Sequence, residues 1–411
     1  MSTRRAAAVD SEVVVVGGGV VGATLAALLA RAGIRTAVVE AAAAQPPPDT
    51  DDEDRQRALA LTCASERILR AAGAWERLDQ DGLGHFRAME VWDAAGRGAI
   101  RFDAAAICEP TLGYIVGSRV LQAALEGALR TQSLIAWHRP CKLTGLHLES
   151  ERALVELDDG TRLTTRLVVG ADGAASLVRR LAGIDDHSRT YGQSALVCSV
   201  RTERPHEDTA RQRFLPTGPL AFLPLADPHR CSIVWSTTPD EAARLLDARE
   251  EEFRVRLCEA FDARLGAVTW VGPRAAYPLT RAHAERYVHP RLALVGDAAH
   301  RIHPLAGQGA NLGLLDAASL AEVLERAAAA DRDPGALPVL RRYERWRRGE
   351  NLAMQLAMDG FKHLFGSQSL LLRRLRNSGL RLTDALPPVK RLIMLRAMGV
   401  IGDLPRIARA P

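Results

Sequence analysis

Three absences narrow what this chain does before any motif is considered. No stretch of its 411 residues reaches the roughly 18 consecutive apolar positions that a membrane-spanning helix needs. The six cysteines (Cys63, Cys108, Cys141, Cys198, Cys231 and Cys258) lie far apart with no C-x-x-C pair. Neither a zinc site nor a disulfide framework is indicated, and no metal is expected. They read as reduced, mostly buried thiols of a cytoplasmic protein. Finally, there is no G-x-S-x-G elbow, no H-E-x-x-H and no obvious catalytic pair.

The opening "MSTRRAAAVDSE" places Asp10 and Glu12 where an export signal needs an apolar core, so no signal peptide is expected. Hydrophobic residues at 47% and charged residues at 25% are ordinary for a globular protein, and the length suits about two domains. The net charge of +5 is uneven. Residues 338–411 hold 15 Lys and Arg against 5 Asp and Glu, whereas the first 337 residues hold 39 against 44.

What is present begins with "EVVVVGGGVVGATLAALLARAGIRTAVVE". A buried strand (Val13 to Val16) enters a glycine turn and an apolar helix, and a second strand ends on Glu40. Gly17, Gly19 and Gly22 satisfy G-x-G-x-x-G, which gives a tight turn, close backbone approach to a pyrophosphate, and helix-to-strand packing. Glu40 stands where an acid accepts hydrogen bonds from an adenosine ribose. A second element, "TRLVVGADGAASLVRR", runs a strand into Gly170, Asp172 and Gly173; Asp172 reads either as a ligand group or as a helix N-cap. A third, "LALVGDAAHRIHPLAGQGANLGLLDAASLAEVL", delivers Gly296 and Asp297 to a strand end and then opens a helix through Gly307, Gly309, Ala310 and Asn311. That helix entrance has no charged side chain. Its free backbone N–H groups and the helix dipole suit a planar group that becomes anionic on reduction.

These three motifs, in this order, resemble the flavoprotein monooxygenases of the para-hydroxybenzoate hydroxylase fold, and "HPLAGQGANLGLLD" resembles the third motif of the ubiquinone-biosynthesis hydroxylases. The likeness also runs through "RALALTCASERIL", "MEVWD", "GYIVGSRVLQAAL" and "AFLPLADPHRCSIVWS". Within the family the chain most resembles the 2-polyprenylphenol hydroxylases. The resemblance implies an α/β fold: a Rossmann-like FAD-binding domain, a β-sheet substrate domain and a helical C-terminal region. The implied boundaries are 1–185 for FAD binding, with 87–102 contributing to the substrate sheet. The substrate sheet itself is 186–285, the flavin-ring loop and helix are 286–337, and the basic helical region is 338–411.

Carried over residue by residue, Gly17, Gly19, Gly22 and Glu40 would bind the ADP half of FAD. Arg57 and Arg119 would approach the flavin side, Asp172 the pyrophosphate and the NAD(P)H path, and Asp297, after Gly296, the ribityl hydroxyls. Gly307, Gly309, Ala310 and Asn311 would hold the ring. The implied reaction is hydride transfer from NAD(P)H to FAD, reaction with O2, and attack of an activated phenol carbon on a flavin C4a-hydroperoxide, hydroxylating a 2-polyprenylphenol ortho to its hydroxyl. Only one G-x-G-x-x-G unit is present, so NAD(P)H is expected to visit the flavin without a Rossmann domain of its own. No catalytic base stands out. His303 reads either as a group poising the phenol or as structural, with Pro304 shaping the loop on the reactive face.

Phe222, Leu223 and Pro224 are candidates for an apolar pocket wall or for plain sheet core. The basic, leucine-rich tail suits a membrane surface, a partner in a biosynthetic complex, or packing on the protein's own body. No nucleic-acid partner is expected, the expected location is the cytoplasm with peripheral membrane contact, and self-association is left open. Alternatives are a hydroxylase for another ubiquinone-pathway ring position or a small soluble phenol, and a flavin-bearing scaffold without turnover.

Overall fold

The structure is a computed structural model that describes residues 9–45, 58–96, 98–303, 308–366, 369, 376, 378–379 and 382–410. Among these residues the strands form three sheets. In the first, Ser11–Val16 lies parallel between Thr36–Val39 and Arg162–Gly170. Ile135–His138 extends it on one side, and Leu292–Leu294 with Val288–His289 on the other. A parallel sheet covered on both faces needs apolar side chains on both, which is why "VVVV" reads as a continuous run and not an alternation. Val13, Val14 and Val15 are fully buried. The helix Val20–Arg31 returns the chain over this sheet and is buried along nine of its residues, Gly22 to Ala30. A second long helix, Gln308–Ala329, packs against it.

The second sheet has nine strands. Its long central strand, Arg189–Thr202, pairs with Arg230–Thr237 and Ala275–His283, and the sheet runs on through Gly218–Pro224 and Thr209–Leu215. Ala88–Asp93 then joins it in parallel to Thr209–Leu215 and brings Ala99–Asp103 as the next strand. The helices Pro239–Asp247 and Glu250–Ala260 cover one face, where Leu196, Leu220, Phe222, Ile233, Phe253 and Phe261 form a closed core. The opposite face combines small side chains with a few larger ones. That difference between faces, which period-2 alternation makes possible, leaves room for a ligand on one side only.

A third sheet joins Ala58–Leu61, Gly113–Gly117 and Gly84–Phe86. The C-terminal region contributes the 30-residue helix Leu337–Gly366 and the helix Pro387–Ala397. Among the described residues no helix is long and apolar enough to cross a membrane. This region is built into the body of the protein. Arg347 and Arg376 are buried in ion pairs with Asp316 and Asp93, and Met394 and Met398 pack with Cys63, Ile107 and Leu112.

Candidate functional site

The glycine turn after the first strand is dictated by close approach. Gly17 has φ +103°, and a Cβ there would stand 2.4 Å from the Ala171 carbonyl oxygen. A Cβ on Gly22 would stand 1.9 Å from the Gly17 oxygen, so this helix turn reaches its strand only through glycine. Gly19 has no atom within 4 Å of its Cβ position and opens onto a cavity of about 600 Å³. At the end of the neighbouring strand Glu40 accepts from Gly18 N and Ala42 N, each at 2.7 Å. Two backbone donors thus fix its carboxylate, and each oxygen keeps a free lone pair for a hydroxyl.

Asp297 lines the same cavity, is exposed to it, and makes no hydrogen bond among the described residues. Its position is set by Gly296 (φ +60°), whose N–H donates to Asp316 Oδ2 at 3.1 Å. Asp316 is completely buried and also accepts from His300 Nε2 (2.5 Å), Arg347 Nε (2.9 Å) and Asn351 Nδ2 (3.0 Å). Burial pushes its pKa upward, but the neighbouring His300 and Arg347 charges and the hydrogen bonds outweigh it and hold the carboxyl at about 2. The sequence reading missed this cluster. Its one signal is an acid inside the apolar run "NLGLLDAASL".

Gly309 and Ala310 line the cavity at the start of the Gln308–Ala329 helix, where the first N–H groups lack helical partners. The Asn311 side chain is turned away: buried at 2% exposure, it donates to Ala60 O and accepts from Thr62 N and Ser65 Oγ, tying the helix to the third sheet. Asp172 is likewise engaged as a cap. It accepts from Ser176 Oγ (2.5 Å), Leu177 N (2.7 Å) and Val178 N (3.0 Å), while Ala171 and Gly173 present the cavity surface. Arg119 sits in the first turn of the helix Ser118–Arg130, beside cavity-lining Ser118. Arg57, Pro304 and Gly307 lie outside the described residues.

His303 is fully buried, with Nε2 3.3 Å from Gln193 Oε1 and its ring edge-on to Tyr191. Burial, reinforced by the Lys362 charge, lowers its pKa to about 4. It borders a second, small cavity with Phe214, Pro219 and Phe365, not the large one. Pro219 also lines the large cavity, so the two adjoin.

On the sheet side, the expectation of three consecutive wall residues needs correction. Leu223 and Ala221 face the cavity, whereas Phe222 stacks on Phe261 at 3.6 Å in the helix-covered core. Adjacent strand residues point to opposite faces, so Phe222 and Leu223 do not share a wall. Pro224 is buried away from the cavity, its carbonyl against Gly84. The sheet side of the cavity combines the small residues Ala195, Ala210, Ala221, Ser232 and Ser236 with Val197, Gln212, Leu223 and Val234.

The geometry therefore brings a glycine turn, a free acid and a helix entrance around one space, with the anchored Glu40 at the end of the neighbouring strand. This donor set fits FAD: uncluttered N–H groups for phosphate, carboxylates for sugar and polyol hydroxyls, and a helix N-terminus for an electron-rich ring edge.

A family model described as FAD binding domain matches residues 10–355. The chain is 39% identical over 344 residues to 3-demethoxyubiquinol 3-hydroxylase of Escherichia coli (strain K12), covering 84% of this chain and 87% of that protein. It is also 39% identical to the ubiquinone hydroxylase UbiL of Rhodospirillum rubrum, over 86% of this chain and 82% of the relative. Its fold matches the crystal structure of p-nitrophenol 4-monooxygenase PnpA from Pseudomonas putida DLL-E4 with a TM-score of 0.76, at 23% identity over 94% and 97% of the two chains.

Proposed function

The chain belongs to the FAD-dependent hydroxylases of ubiquinone biosynthesis, and on that premise we propose that it hydroxylates the ring of a polyprenylphenol, using NAD(P)H and O2. The class runs from 2-polyprenylphenol, the ring expected from the sequence, to more substituted rings such as the one named for the Escherichia coli relative. The observation that carries the reading is the single space of about 600 Å³ where the glycine turn, Asp297 and the helix entrance meet the nine-stranded sheet.

In this reading Gly17, Gly19 and Gly22 admit the pyrophosphate, Glu40 takes the adenosine ribose, and Asp297 takes the polyol hydroxyls. Gly309 and Ala310 offer backbone donors to the ring. FAD, when bound, supplies the hydride acceptor and the means to activate O2. What the chain supplies is binding and orientation. Asp316 holds the Gly296–Asp297 turn through the hydrogen bonds it accepts from Gly296, His300, Arg347 and Asn351. His303, neutral and enclosed, belongs to the wall and not to proton transfer.

We assign Ser11–Leu181, apart from the strands Ala88–Asp93 and Ala99–Asp103, and Val288–Ala329 to cofactor binding, and the nine-stranded sheet, with those two strands, to substrate. The outer face of the C-terminal helices, with Leu386, Val389, Leu392 and Ile393 exposed near Arg391 and Arg396, supports peripheral contact with an anionic membrane.

The test is the absorption spectrum of the purified protein, followed anaerobically with NADPH or NADH, with and without a 2-prenylphenol. Flavin bleaching that the phenol accelerates, and a hydroxylated product on admitting O2, support the proposal. Failure to bind added FAD, or reduction indifferent to every phenol tried, refutes it.

A further inference from the structure

Among the described residues, the titratable or charged side chains that line the large cavity are Arg211, Tyr277, Asp297 and Arg301. Their circumstances differ. Arg211 is committed elsewhere, its guanidinium donating to Glu90 Oε2 at 3.2 Å and to the His206 carbonyl at 2.7 Å. Tyr277 is 51% exposed, so the cavity opens to solvent beside it. Arg301 has no carboxylate within ion-pair distance among the described residues, and its guanidinium makes no hydrogen bond to them. Its Nε is sealed from solvent without a partner. Asp297 lines the same cavity, yet the two side chains form no ion pair.

The place of Arg301 in the fold says which side of the cavity it serves. The short strand His300–Arg301 is the edge of the nine-stranded sheet, with Arg301 opposite Ala282 and His300 opposite His283. Adjacent strand residues point to opposite faces, and His300 turns inward to Asp316, which leaves Arg301 to the cavity. In the chain this strand follows the Asp297 turn and precedes the helix entrance at Gly309 and Ala310. Arg301 therefore stands where the cofactor half meets the sheet assigned to substrate. A partly buried cation without a counter-charge is costly, and the cost falls when an anion enters. A phenol bound here becomes that anion by losing its proton.

We infer that the Arg301 guanidinium binds the oxygen of the substrate phenol and lowers the pH at which it ionises, so that the ring is held as a phenolate. The inference rests on the cavity being the substrate site of a phenol hydroxylase. The O–H bond breaks, the proton leaves to water at the Tyr277 opening, and the electron pair stays on oxygen, where it enriches the ring carbon to be hydroxylated. No side-chain base is required, in keeping with the lack of a catalytic pair in the sequence. Arginine suits the task because its charge is fixed and it has no lone pair to take the proton back. An opposite charge in contact lowers an acid's pKa by about 1–3 units, which brings an ordinary phenol from about 10 to about 7–9.

The experiment titrates 2-geranyl-4-nitrophenol bound to the oxidised, FAD-loaded full chain without NAD(P)H. It follows the visible band that the phenolate has and the phenol lacks, with the flavin-loaded protein alone as baseline. The bound probe is expected to ionise about 1–3 pH units below the free probe in the wild type, and to keep most of that shift in Arg301→Lys. Arg301→Gln is expected to move ionisation to the free value or above it, because burial without a counter-charge favours the neutral phenol. A wild-type value at or above the free one overturns the inference even if the glutamine variant does not fold. Equal values in the wild type and in FAD-loaded Arg301→Gln overturn it too, leaving the hydroxylase in place. Loss of FAD from Arg301→Gln but not from Arg301→Lys gives the cation to the cofactor instead, and also overturns it. A wild-type protein that holds FAD but binds no phenol overturns the hydroxylase reading, and the phenolate site with it.

Discussion

Replacing Asp316 with asparagine tests the buried cluster beneath the Gly296–Asp297 turn. The carboxylate is shared by Gly296 N, His300, Arg347 and Asn351, and Arg347 is itself only 2% exposed. An amide keeps the shape but removes the charge and turns a donor toward at least one existing donor. Breaking a buried ion pair by deleting one partner costs about 3–5 kcal/mol, a large share of the roughly 5–15 kcal/mol that holds a domain together. The same stabilisation shows in pH: against the upward push of burial, the carboxyl is held at about 2, below the ordinary aspartate range, by the His300 and Arg347 charges beside it. Because the folded-state pKa is the lower one, that stability is complete above pH about 4 and is lost as pH falls toward 2. Urea melts of Asp316→Asn at pH 7 are expected to show a loss of several kcal/mol. FAD affinity should fall in parallel because the Asp297 turn loses its anchor. A loss below about 1 kcal/mol would mean the charge is not holding the cluster, and the argument fails.

Asp297→Ala and Asp172→Ala separate two acids that look alike in sequence. The first should release FAD with little change in the apo-protein's melting. The second should cost about 1 kcal/mol as a lost helix cap and retain the cofactor, both read by flavin content and thermal melts. Gly22→Ala should yield protein without bound FAD, because its Cβ meets the Gly17 oxygen at 1.9 Å; a flavin-loaded variant would contradict the close approach. His303, pushed down to about 4 by burial, stays neutral in the fold while the unfolded chain takes up a proton below the ordinary histidine pKa of about 6.5. The native state therefore loses stability as pH drops from 6.5 to 4, and His303→Gln should flatten that slope in melts across the range. Leu392→Asp with Ile393→Asp should weaken sedimentation with vesicles rich in anionic phospholipid while leaving flavin content unchanged; equal sedimentation would remove the membrane reading.

The glycine turn was legible because its constraints are local: a strand, a reversal and a helix that must touch the strand leave no room for side chains at Gly17 and Gly22. The free Asp297 was legible for the same reason, at the end of an apolar strand. For Asp172 the ligand and cap readings could not be separated in sequence, because both use the same side-chain oxygens and only the surrounding N–H positions tell them apart. Phe222 shows a different limit. In "LAFLPL" both faces of the strand are apolar, and nothing local says which is sealed by the helices Pro239–Asp247 and Glu250–Ala260 and which faces the cavity. Asp316 was hidden because a lone acid in a helix reads as a solvent-facing position, whereas this helix is buried nearly all round.

The charge asymmetry also has a structural consequence. The basic surplus of residues 338–411 reads as one surface in sequence, yet part of it is spent inside. Arg347 reaches Asp316 and Arg376 reaches Asp93, while Lys362 caps the Tyr191 carbonyl with its ammonium over the Tyr191 ring. The helix Leu337–Gly366 thus has two faces with different tasks. Its inner face completes the anchor of the Gly296–Asp297 turn through Arg347 and Asn351, and packs Asp359 against Tyr191 and Arg281 on the nine-stranded sheet. Its outer face exposes Leu352, Leu356 and Phe361. One helix diameter, about 10 Å, separates a residue that touches the surroundings from one that holds the Gly296–Asp297 turn. Deleting the tail would therefore confound surface contact with site assembly, and only outward-facing point substitutions distinguish the two.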